Sequence, residues 1–384
     1  MTSPTKPRNN WGQRRFARLA HFGWLWCLVA FVVVNGFIRN RTVAIAALGI
    51  VVGALAILGM IRTCDRGHLV AWRREDPLLA LAGAFGTGSA VRLLDLPPVL
   101  AVAATGVAGG LLVRRIAGAE DYHAAPIYCG AFAAGTSIEV LGSPWWILLA
   151  GLIVGVFWSV SREAWAGIGG KMGTVALMGV LVTVGLAWSV HRLGPGATPL
   201  HSRGAIAGVL VCAVLSAGTT WWLAYRREWS VVLASAVPTA LVALVLYWIP
   251  YLSPDTTMVL DVAWLGASFV GMTSPARLPR PVLVVPLAGG VYGALQIAFG
   301  DYLAGMGGLM GATALIAVFT VRGAALNLPG WRWSRPRRDR SDRTSVRMSL
   351  KVRGGEMPKS LPLPLLALRR WRDALLRHLP ESGP

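Results

Sequence analysis

Lys171 is the residue of this chain with the greatest capacity for chemistry, because it stands inside an apolar stretch where no loop holds it. A charge at membrane depth is costly, so the ammonium must find an anion, a substrate or the interface, which its four-carbon stem lets it reach by snorkelling. Around it runs AGIGGKMGTVA, residues 166 to 176, and AGMGGLMGATA repeats the pattern at 304 to 314 with Leu309 in the lysine's place. Glu163 and Asp301 each stand three residues before these clusters. An acid in the first turn of a helix complements its dipole, and a pair at two mouths would also draw cations. Thr136 with Ser137 and Thr273 with Ser274 form a second matched set. Their hydroxyls can satisfy backbone carbonyls freed by nearby Gly and Pro, or face a permeant species. Glu139 and Asp261 are further acids within apolar stretches.

Glycine is the other conspicuous component. Gly169 with Gly173, and Gly307 with Gly311, are spaced four apart, the small-xxx-small signature of close helix contact. Gly170 and Gly308 complete clusters that would equally suit interrupted segments lining a cavity. Together with Lys171, Glu163, Asp301, Thr136, Ser137, Thr273 and Ser274, these glycines are the expected pathway residues.

Enzymatic constellations are lacking in the sequence. His68, His123, His191 and His201 have no ligand spacing, and there is no HExxH, GxSxG or Walker loop. Cys27, Cys64, Cys129 and Cys212 are scattered without CxxC spacing, so neither a metal site nor a disulfide framework is indicated. No catalytic residue, cofactor or metal is expected, and the chain is not read as an enzyme.

The elements that carry these residues follow from composition. Of 384 residues, 55% are hydrophobic and 14% charged, which excludes an ordinary soluble domain. Apolar stretches of roughly 17 to 25 residues, enough to cross about 30 Å of hydrocarbon, recur to residue 322. The sequence predicts twelve spans, at 21–38, 42–61, 77–94, 97–113, 125–142, 144–160, 165–190, 204–225, 229–250, 258–274, 281–299 and 302–321. With the N-terminus inside, 31 of the 37 Lys and Arg residues fall on the cytoplasmic side; Arg39, Arg41, Arg92, Arg192 and Arg203 fall outside, and Lys171 lies within a span. Both termini are therefore expected in the cytoplasm, and no cleavable signal is read at the start.

Laying 149–177 over 287–315 gives twelve identities in 29 positions, eight of them between Ala166 and Leu177. Upstream, GAFAAGTS (130–137) faces ASFVGMTS (267–274). Each copy holds five spans, residues 77–191 and 202–322, after a leading pair at 21–76. An odd number of crossings makes the second copy start from the opposite side, so the halves are expected to be inverted about an axis in the membrane plane.

The expected fold is thus an all-α polytopic membrane protein of about twelve helices, arranged as two plus five plus five inverted. Residues 1–20 form a basic N-terminal tail. Residues 323–384 form a basic cytoplasmic tail, mostly disordered, with a short amphipathic helix near 363–380. The net charge of +20 suggests anionic lipid of the inner leaflet as a partner, and nucleic acid is disfavoured because the charge lies in tails and short loops. Architecture points to a secondary transporter or channel of the plasma membrane for a small solute or ion, with its pathway between spans five, seven, ten and twelve. The competing classes are a structural or assembly protein acting through its basic tail and, less well supported, an intramembrane enzyme.

Overall fold

Proline and serine set many of the helix boundaries. In the computed structural model, residues 43–61, 73–117, 121–162, 164–187, 203–299 and 305–327 are described. Among them the chain is helical, with no strand. The helices are α1 Val43–Ile61, α2 Glu75–Leu93, α3 Pro98–Ala117, α4 Asp121–Ala134, α5 Ile138–Leu141, α6 Pro144–Ser161, α7 Lys171–Leu186, α8 Arg203–Arg226, α9 Val231–Tyr247, α10 Pro254–Gly271, α11 Pro281–Phe299 and α12 Leu309–Asn327. Proline opens α3, α6, α10 and α11, where its missing N–H has no partner to lose. Ser230 and Ser253 accept the backbone N–H groups of Leu233 and Thr256 at the starts of α9 and α10.

Among the described residues, five helices are long and apolar enough to cross a membrane: Pro98–Ile116, Pro144–Ser161, Arg203–Arg226, Pro281–Phe299 and Leu309–Asn327. Shorter apolar stretches occupy α1, α7 and α9. This is the make-up of a polytopic membrane protein.

Small residues let these helices touch backbone to backbone. A Cβ on Gly83 of α2 would come within 1.9 Å of the Ile127 carbonyl on α4, and one on Gly130 of α4 within 1.8 Å of the Ala80 carbonyl on α2. Helix α6 packs on α2 through Gly151 against Ala84, and α11 packs on α8 through Gly289 against Ala217. Helix α1 seats on α12 by a reciprocal contact, Gly59 facing the Phe319 carbonyl and Gly323 facing that of Leu55. Thr320 of α12 also donates to the Val52 carbonyl at 3.3 Å. At the centre, Phe132 lies 4.2 Å from Tyr128 and 4.7 Å from Phe269, ring centroid to centroid, and all three are fully buried.

Several expected spans are redrawn. The fifth is not continuous: α4 ends at Ala134, and α5 resumes at Ile138 after a break that holds Thr136 and Ser137. The seventh and twelfth begin later than expected, at Lys171 and Leu309, because the glycine clusters form turns ahead of the helices. Gly169 and Gly307 therefore lie in connectors and are not helical partners of Gly173 and Gly311. Lys171 opens α7, where hydropathy alone put it a turn or two inside. The last helix runs to Asn327, so Arg322, just past the expected span 302–321, is 5% exposed within α12, and residues 323–327, expected in the tail, are helical. The expected span 21–38, the tails at 1–20 and 328–384, Glu163 and Asp301 lie outside the described residues.

Candidate functional site

The two glycine clusters and the two Thr–Ser pairs meet. Each connector docks on the break after a helix of the other half. Gly169 donates its N–H to Thr273 Oγ1 at 3.0 Å, while Gly307 donates to Thr136 Oγ1 at 2.9 Å. Ser274 N donates to the Gly167 carbonyl at 2.9 Å, and Ser137 N to that of Gly305 at 2.8 Å. Both threonine hydroxyls also donate back, Thr136 to the Ala133 carbonyl at 2.6 Å and Thr273 to that of Val270 at 2.8 Å. Each hydroxyl thus bridges a carbonyl at a helix end, which also accepts the same threonine's N–H at 3.1 Å, and an N–H in a turn of the other half.

Left-handed backbone makes these turns. Gly170 has φ +85° and Gly308 φ +86°, while Gly167 and Gly305 have +74° and +78°. A side chain at Gly170 would be strained by that conformation and would bring its Cβ within 2.4 Å of the Gly311 carbonyl oxygen and the Leu315 nitrogen. One at Gly308 would meet the Gly173 carbonyl and the Leu177 nitrogen at the same distance. Beyond the turns, α7 crosses α12 where Gly173 faces Gly311; a Cβ on either would lie 2.5 to 2.6 Å from the other's Cα. Of the expected pathway residues, Gly169, Gly170, Lys171, Gly173, Gly307, Gly308, Gly311, Thr136 and Thr273 are buried in this knot, with Ser137 and Ser274 half-buried at its edges.

Charge breaks the match. Lys171 is 7% exposed; its ammonium donates to the Arg162 carbonyl and lies 4.8 Å from the centre of the Trp158 ring. The Arg162 guanidinium pairs with Asp76, which is 1% exposed and also accepts from the Ser159 hydroxyl at 2.7 Å. The 138-residue offset carries Lys171, Arg162 and Ser159 onto Leu309, Gly300 and Ile297. Asp76 corresponds to Val209, by the 133-residue offset that relates Ala84 to Ala217. Val209 clusters with Leu260 and Ala263, and Ile297 packs against that cluster. An ionic cluster in the first half is thus replaced by an apolar one in the second.

Sequence reading passed over Asp76, Arg162, Ser159 and Arg322. Asp76 adjoins the expected start of a span and Arg162 the end of another, so both read as ordinary loop charges; nothing in a linear sequence pairs residues 86 positions apart. Tyr128 is a further omission. Its buried hydroxyl meets Ser235 Oγ at 3.3 Å, and Ser235 meets Ser268 at 2.7 Å, linking α4, α9 and α10. Asp261 is 6% exposed in α10, and Glu139 is exposed on α5. Among the described residues no group of three or more His, Cys, Asp or Glu side chains is gathered as a metal site would require. The chain matches no family model, no curated protein and no solved structure.

Proposed function

We propose that the chain is an integral membrane transport protein, a secondary transporter or channel, built from two inverted five-span repeats and carrying its solute along the seam between them. The observation that carries this reading is the reciprocity of the two connector contacts. When residue i of one half touches j of the other and the counterpart of j touches that of i, the halves are related by a twofold axis. The bonds from Gly169 to Thr273 and from Gly307 to Thr136 have this form, at nearly equal lengths. Five spans per copy put that axis in the membrane plane. Glycine-interrupted segments at corresponding positions of two inverted halves mark the binding region of such proteins.

The seam is packed shut at Gly173 and Gly311, so passage requires the connectors to part from the Thr–Ser breaks. Two hydroxyl bridges are well suited to this, since each is a short, local contact that can open and reform. The test is flux into proteoliposomes of the full-length protein, with a panel of anions, cations and neutral solutes. The intact protein is expected to move at least one of them faster than empty liposomes do. Thr273→Val, which keeps the side chain's shape and removes its hydroxyl, should lower that rate severalfold while the protein remains monodisperse and folded. No flux with any solute class would contradict the reading.

A further inference from the structure

Asp261 is a buried acid that the fold leaves uncompensated. It is 6% exposed in α10, and its Oδ1 has no hydrogen-bond partner among the described residues. The exposed Tyr247, Trp248 and Tyr251 form an aromatic belt of the kind that marks a membrane interface. Asp261 stands seven residues beyond Pro254, the start of α10, and so about 10 Å further in at about 1.5 Å per residue. Its side chain is too short to snorkel back as a lysine does.

The polar side chains around it are committed elsewhere. Ser216 of α8 donates to the Trp264 carbonyl at 2.6 Å. From α11, Tyr292 and Gln296 donate to the Val262 and Val259 carbonyls, both at 3.3 Å. The titratable groups facing this stretch of α10 are Tyr292 and, on α8, Cys212, which feels the Asp261 charge. Among the described residues, α3, α9 and α12 bring no charged side chain into an ion pair or hydrogen bond with Asp261. Leu260 and Ala263, on either side of it in α10, pack with Val209 of α8.

Asp76 shows how the fold compensates a buried acid elsewhere, with the Arg162 guanidinium and the Ser159 hydroxyl on one oxygen. Asp261 has no such partners. Its counterpart, by the 137-residue offset that relates Thr273 to Thr136, is Ala124, so packing at this position does not need an acid. An ionised carboxylate left unpaired in an apolar setting is prohibitively costly, and such a group is neutralised by a proton or a bound cation. A hard metal cation takes several oxygen ligands. Here the neighbouring hydroxyls and amide are spent on α10 carbonyls, and among the described residues no second acid joins Asp261 in a metal-binding group. A proton needs one oxygen.

We infer that Asp261 is a proton-binding site, a carboxyl that carries a proton in this closed arrangement and gives it up when water reaches it. Acids at membrane depth mark ion and proton pathways. Ser268 lies two turns along the same stripe of α10. Its hydroxyl meets Ser235 at 2.7 Å, and Ser235 meets Tyr128 of α4 at 3.3 Å, so groups able both to donate and to accept continue from that stripe into the first half. The wider role rests on the transport reading, in which the proton becomes the coupling ion; the binding itself is measured without flux.

The test is reaction of the full-length protein in liposomes with dicyclohexylcarbodiimide, an apolar reagent that adds to protonated carboxyl groups, followed by mass spectrometry of its peptides. Asp261 is expected to carry the adduct and to be left unmodified by a water-soluble carbodiimide. Asp255, exposed in the first turn of the same helix, should show the opposite preference. The yield at Asp261 should fall by at least about tenfold between about pH 5 and about pH 9, as the protonated form of a titrating acid is depleted. Replacing choline by sodium at fixed pH and ionic strength should leave the yield unchanged, and Asp261→Glu should still react. Asp261 unlabelled at every pH, or labelled equally across the range, overturns the inference. Suppression of the label by sodium does so too, by assigning the carboxylate to a metal cation. Flux with Asp261 unlabelled removes this inference and leaves the transport reading standing; a pH-dependent label without flux of any solute does the reverse.

Discussion

At the scale of single residues, the least symmetric feature of the molecule is the Asp76–Arg162 pair. Both side chains are nearly removed from solvent, and the carboxylate is further fixed by Ser159. Taking one partner from a buried pair strands the other charge, at a cost of about 3–5 kcal/mol, whereas replacing both by apolar groups is often neutral. Arg162→Met is therefore expected to destabilise the protein by about that amount in SDS-induced unfolding, and Asp76→Val combined with Arg162→Met to recover most of the loss. The second half already builds the corresponding site from Val209 and Ile297. Equal losses in the single and double variants would show that the pair contributes more than mutual neutralisation. Lys171 could be singled out from the sequence because a lysine in an apolar stretch is conspicuous by itself. Asp76 and Arg162 could not, since each borders a span and gains its meaning only from the other.

At the scale of elements, contact between helices is decided by where glycine permits a backbone to approach. Gly323 of α12 and Gly185 of α7 occupy matched positions, yet a Cβ at Gly323 would meet the Leu55 carbonyl at 2.0 Å while one at Gly185 meets nothing within 4 Å among the described residues. Helix α1 covers one and not the other. Gly323→Ala is accordingly expected to destabilise by about 1–3 kcal/mol through overpacking. Gly185→Ala should change stability by less than about 0.5 kcal/mol in the same unfolding assay. A similar response at both positions would mean that α1 does not seat on α12 as described. The helices themselves were largely legible from hydropathy, with most boundaries displaced by a few residues. The breaks were less so. Residues 135–137 (Gly, Thr, Ser) and 167–170 (Gly, Ile, Gly, Gly) carry no charge, so hydropathy runs through both breaks, and the glycine clusters suited a close helix contact as well as an interruption. What ends the helix there is the pairing of Thr136 and Thr273 with the opposite connectors, a contact between segments more than 100 residues apart.

At the scale of the whole molecule, the proposed account treats the chain from α2 to α12 as one unit and its upside-down copy, meeting at two glycine turns. The duplicated sequence was visible from its constant offset. The reciprocal docking was not, because a repeat in sequence specifies similar halves without specifying which surface of each meets the other. A further match lies far from the seam. The α2–α3 turn holds Asp95 at φ +51° and the α8–α9 turn holds Glu228 at φ +56°, both exposed and 133 positions apart, the separation that also relates Ala84 to Ala217. Left-handed backbone is uncommon outside glycine, so its recurrence at matched sites reflects the same turn built twice.

Those two turns permit the most direct test of the inversion. Asp95→Cys and Glu228→Cys are introduced singly into a chain whose Cys27, Cys64, Cys129 and Cys212 have been replaced, and intact cells are treated with a membrane-impermeant maleimide before and after permeabilisation. The account predicts that Cys at 95 is labelled from outside and Cys at 228 only once the membrane is opened. Labelling of both positions from the same side would contradict it.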